Sequence, residues 1–105
     1  LGIKIAEYKL ENATEVNKPA ARDLVMRVYT QRLEHYPDDK GGIYDDIATF
    51  KREQGAEDDE VYTWLEKTYK EDPTELSPTN IYKYFDIILN RFRGQFISRL
   101  FSEHI

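Results

Sequence analysis

Chemistry at neutral pH calls for a nucleophile beside a base, paired acids in a dry cleft, or a bound metal. The chain supplies little of any of these. Its only imidazoles are His35 and His104, and it contains no cysteine. Neither histidine has a second one three or four residues away, so the paired helical ligands of a zinc site are missing. Each stands instead at the end of a helical segment, where the negative end of the helix dipole favours it. The stretch from Asp38 to Asp46 combines carboxylates with Gly41 and Gly42, but it lacks the alternating oxygen ligands and closing glutamate of a calcium loop. No glycine-rich loop is followed by Lys-Ser or Lys-Thr, so no phosphate cradle is formed. Ser77, just before Pro78, reads as a helix cap and not as a nucleophile. No cofactor, metal or small-molecule ligand is implied, and the expectation is a non-enzymatic chain.

The elements that could position any of these groups follow from size and periodicity. At 105 residues the chain suits one domain, and 33% charged residues with a mean hydropathy of -0.73 exclude a membrane composition. No membrane partner is expected, and the expected setting is cytoplasmic. Ala21, Val25, Val28, Tyr29, Leu33 and Tyr36 recur every three or four residues, which predicts a helix over 18–36, capped by Asn17 and stopped by Pro37. After a turn at Gly41-Gly42, Ile43, Ile47 and Phe50 predict a helix over 43–54 that closes near Gly55. Val61, Trp64, Leu65, Thr68 and Tyr69 predict a third over 59–71, ended by Asp72-Pro73.

The fourth and longest helix is expected over 78–102, with Pro78 at its first position. Residues 1–16, where Ile3 and Ile5 alternate with Lys4, are expected as an extended arm. The fold class is therefore all-α: a four-helix bundle-like domain with a long, central C-terminal helix and an extended N-terminal arm.

Charge is unevenly spread. Residues 38–60 carry nine acids against three bases, while 18–36 and 78–105 each carry two more bases than acids. Asp38, Asp39, Asp45, Asp46, Glu57, Asp58 and Asp59 are the candidate patch for steering a basic partner, which would raise the encounter rate more than the affinity. On a wheel of about 100° per residue, Ile81, Phe85, Ile88, Leu89, Phe92, Phe96 and Leu100 share one face of the last helix. That face is expected to be core. Ile87, Ile97 and Phe101 fall on other sides, and Tyr84, Ile87, Ile97, Phe101 and Ile105 are the candidate contacts with a partner, either another protein or a second copy of the chain. Arg99 is expected to pair with Glu103 one turn on.

The run Leu76-Ser77-Pro78-Thr79-Asn80-Ile81-Tyr82-Lys83-Tyr84-Phe85 resembles the turn and recognition helix of TetR-type repressors. The likeness covers about ten residues, and Asp72-Pro73-Thr74-Glu75 stands where that family has a tight turn. It implies an alternative, DNA-binding regulation through residues 61–93, with Thr79, Asn80, Tyr82 and Lys83 toward the groove. Phosphate repulsion by an acidic chain weighs against nucleic acid as the partner. The leading expectation is a protein–protein interaction or self-association module.

Overall fold

The computed structural model describes residues 2–104, without the side chain of His104, and every regular element among them is helical. In chain order these are α1 (Gly2–Glu11), α2 (Lys18–His35), a 3₁₀ turn (Pro37–Asp39), α3 (Lys40–Glu53), α4 (Asp58–Glu71), a second 3₁₀ turn (Pro73–Glu75) and α5 (Pro78–His104). The all-α class and the long last helix are as expected.

The first element is not an extended arm. Ile3, Ala6 and Leu10 keep helical spacing, and burial of Ala6 and Leu10 against α2 decides the conformation, while Ile5 and Tyr8 face water. Gly2 lets this helix approach closely, since a Cβ there would lie 3.1 Å from Cγ2 of Val28.

The middle of the chain keeps most of its expected inner faces; in α4 Val61, Leu65 and Thr68 are buried, whereas Tyr69 is 51% exposed. Val25 and Tyr29 of α2 are buried with Ile43, Ile47 and Phe50 of α3. Tyr36 departs from this pattern: it lies past the end of α2 and is exposed. Asn17 precedes α2 without a side-chain cap bond, its own backbone being helical. His35 occupies the last turn of α2 as expected.

Helix α3 begins at Lys40 and so takes in Gly41 and Gly42, which the sequence places in a turn. Gly41 permits a close approach: a Cβ there would stand 3.1 Å from Cγ of Glu75 and 3.3 Å from Cβ of Asp72, so those side chains would have to give by a few tenths of an ångström. At its other end Gly55, with φ of 78°, closes the helix: the Gly55 N–H donates to the Arg52 carbonyl and the Ala56 N–H to that of Lys51. Asp72 ends α4 in an extended conformation, its carboxylate accepting from the backbone and hydroxyl of Thr74.

Two apolar clusters result. One joins α1, α2 and α3; the other joins Ala48 of α3 to Val61 and Leu65 of α4, Leu76, and Ile87 of α5. Trp64 packs against both. The central helix is therefore α3, not the last one as expected, and α5 lies at the margin. Its 27 residues extend about 40 Å, and every described side chain from Ile88 onward is exposed.

Candidate interaction surface on the last helix

Helix α5 is fixed at its first turns by polar groups. Asp45, buried on α3, accepts at Oδ1 from the Ser77 N–H at 3.0 Å and from Nδ2 of Asn80 at 2.9 Å, with the Ser77 hydroxyl at 3.4 Å. Asn80 is fully buried, and its Nδ2 also donates to the Thr49 hydroxyl at 2.9 Å. A carboxylate at the start of a helix satisfies free N–H groups and suits the positive end of the dipole.

Farther along, Lys83 reaches Asp58 at 3.0 Å and Arg91 reaches Asp59 at 2.8 Å. The Arg91 guanidinium also lies 3.9 Å from the ring centre of Tyr62, which stacks on Tyr84 at 5.6 Å. Burial pushes the Tyr84 phenol above its usual range. The docked side of α5 is thus Asn80, Tyr84, Ile87 and Arg91, spaced four, three and four apart.

Docking that side turns the wider apolar face outward. Ile81, Phe85, Ile88, Leu89, Phe92, Phe96 and Leu100, expected as core, are between 37% and 63% exposed. Ile87, expected as a partner contact, is 2% exposed and fills the second cluster. The reason is tertiary: the narrower side offers an amide and two cations that match Asp45, Asp58 and Asp59, and the wider one offers no polar anchor. Of the other candidate contacts, Tyr84 is half-buried in the tyrosine stack, Ile97 and Phe101 are exposed, and Ile105 lies outside the described residues. The expected pair between Arg99 and Glu103 is not among the ion pairs of the described residues; the pairs formed by α5 lie at Lys83 and Arg91. A Cβ on Gly94 would meet nothing, so that glycine serves no close approach within the chain.

The candidate acidic patch divides. Asp58 and Asp59 are engaged by α5, and Asp45 is buried in its anchor, so these three are not a free surface. Glu57 precedes α4 and is exposed. Asp38, Asp39 and Asp46 line a groove of about 480 Å³ together with Asp45 and with Glu71, Asp72 and Glu75, three acids outside the candidate patch. Among the described residues, no group of carboxylates and imidazoles is arranged to hold a metal ion.

The side chain of Asp46 reaches water, yet desolvation on the groove wall and the adjacent Asp45 raise its pKa. The folded state therefore holds this proton to higher pH than the unfolded chain does, and stability falls as pH rises through that window. Asp46→Asn is expected to melt above the wild type at pH 7, with the difference closing toward about pH 4 in a thermal-denaturation series. An equal or lower melting point at pH 7 would contradict the raised pKa.

The groups implied by the repressor resemblance are not presented together. Asn80 is buried and bonded to Asp45, which corrects its expected position at a groove, and Lys83 is taken up by Asp58. Tyr82 is open to water, as is Thr79, whose hydroxyl accepts from Arg52 at 3.5 Å. Among the described residues, no helix is long and apolar enough to cross a membrane. No protein-family model matches the chain, and no curated protein or solved structure matches it either.

Proposed function

We propose that this chain is a non-enzymatic protein–protein interaction module whose contact surface is the outward apolar side of α5. The observation that carries the reading is the exposure of seven large apolar residues on one face of a single helix, with Ile97 and Phe101 exposed on its other sides. Monomeric proteins rarely leave contiguous apolar patches larger than a few hundred Å² without using them. Helix stability supports the same reading. Beyond Arg91 every described side chain of the rod is exposed, and isolated helices of about 12–15 residues are marginal in water. A partner laid along it would supply the missing contacts. The carboxylates at the groove of Asp38, Asp39 and Asp46 lie apart from this face and would favour approach of a basic partner. A cytoplasmic setting belongs to the same reading.

Sedimentation velocity over a range of concentrations, alone and with a candidate partner, compares the wild type with Phe92→Ser/Phe96→Ser. Complex formation by the wild type and its loss in the variant are expected. Equal behaviour of the two chains would overturn the reading.

A further inference from the structure

We propose that the partner of α5 is α5 of a second copy, packed antiparallel about a two-fold axis between Asn90 and Arg91. This rests on the reading above and names its occupant. Six of the seven exposed residues of that face, Ile81, Phe85, Leu89, Phe92, Phe96 and Leu100, are spaced four, four, three, four and four apart, a pattern that reads the same in both directions, with Ile88 outside it at the edge of the face. An antiparallel pair in this register sets Ile81 against Leu100, Phe85 against Phe96 and Leu89 against Phe92. Each of these six side chains then meets another of the six, and every pairing occurs twice, as an isologous interface requires. A parallel pair gives each residue only its own copy.

Two further features agree. Asp86 and Arg93 lie on one edge of the apolar face, about 20° apart on the wheel. Across the antiparallel pair that edge meets itself, and Asp86 of one copy comes within two residues of Arg93 of the other, in both directions. Both side chains are free for this: Asp86 has only Lys83 at 4.0 Å, and Arg93 has no ion-pair partner among the described residues.

The area also suffices. Six residues, 37–63% exposed, offer on the order of 500–600 Å² per copy at the size of such side chains. Two copies bury on the order of 1,100 Å², which passes the threshold of about 1,000 Å² for a specific contact. The free half of each α5 covers the exposed face of the other's docked half, and the docked sides of both helices stay turned away from the contact.

The chain has no cysteine, so introduced thiols report on geometry without background. Phe85→Cys and Phe96→Cys chains are prepared separately, mixed, and treated with a short bismaleimide. The mixture is expected to give covalent dimers, and each variant alone is expected to give little, since like positions stand about 16 Å apart along the axis. Cross-linking of each variant with itself would mean parallel pairing and would overturn the proposal.

A nitroxide on Ser102→Cys, which leaves the apolar face intact, provides an independent distance: about 35 Å along the axis for this register, against about 10 Å for a parallel pair at the usual helix spacing. A wild-type chain that stays monomeric at about 1 mM would remove the second copy as occupant. That result leaves the interaction reading to its own comparison with Phe92→Ser/Phe96→Ser, so the two failures are distinct.

Discussion

Replacing Phe92 and Phe96 together with serine is expected to weaken association by at least about 100-fold, while the helical circular dichroism of the dilute chain stays unchanged. The two rings stack on one another, with centroids 6.5 Å apart and planes 14° from parallel, and neither belongs to an apolar cluster of the body. Each still exposes more than half of its surface, 63% and 55% respectively. Covering what remains is worth about 1–2 kcal/mol per ring, a share of the 1.5–3 kcal/mol for full burial of such a side chain. In a symmetric pair the loss counts twice. Four rings then lose about 4–8 kcal/mol, and about 2.8 kcal/mol of that is already two decades in Kd. Serine and phenylalanine differ little in helix propensity, so the rod itself is retained.

The second large effect lies at the other end of the same helix. Asp45→Ala is expected to lower stability by about 3 kcal/mol, because it strips the acceptor from the Ser77 N–H, the Ser77 hydroxyl and the Asn80 amide at once. A hydrogen bond to a charged group contributes about 1.5–3 kcal/mol, and a buried donor left without a partner costs about 1–3 kcal/mol more. Asn80 is fully buried, and its Nδ2 keeps only the neutral acceptors it already has, the Thr49 hydroxyl at 2.9 Å and the Asp45 carbonyl at 3.2 Å, so the charged partner is not replaced. In urea the midpoint should fall by about 2 M for a slope near 1.5 kcal/mol/M. Asp45→Asn, which keeps one acceptor oxygen, should lie between that variant and the wild type. A fall of less than about 0.5 M for Asp45→Ala would show that α5 is held by Ile87 and its neighbours alone.

The sequence made three helices legible because in each of them the apolar residues form a dominant stripe and that stripe is the side turned inward. In α2, α3 and α4 the residues at spacings of three and four are largely the ones buried, and the stops at Pro37, Gly55 and Pro73 fall where backbone chemistry demands them. The first helix was obscured by Ile3 and Ile5, whose alternation imitates a strand; the deciding contact, Ala6 and Leu10 against α2, lies between elements and leaves no mark on local pattern.

The last helix carries two apolar sides, and breadth alone points to the wrong one as core. What inverts the choice is a set of polar partners remote in sequence: Asp45 for Asn80, Asp58 for Lys83 and Asp59 for Arg91. Such pairings across more than 20 residues are invisible to periodicity. The exposed face was therefore present in the sequence as a set of residues, but its orientation was set elsewhere in the chain.

Backbone hydrogen exchange along α5 bears most directly on the outward placing of that face. In dilute protein, amides of residues 82–91 should be protected about as strongly as those of α3 and α4, and amides of 92–104 should exchange far faster, gaining protection only as the partner binds. Protection of 92–104 equal to that of the core in isolated, monomeric chain would mean that the chain covers this half itself, and the surface assigned to a partner would not exist.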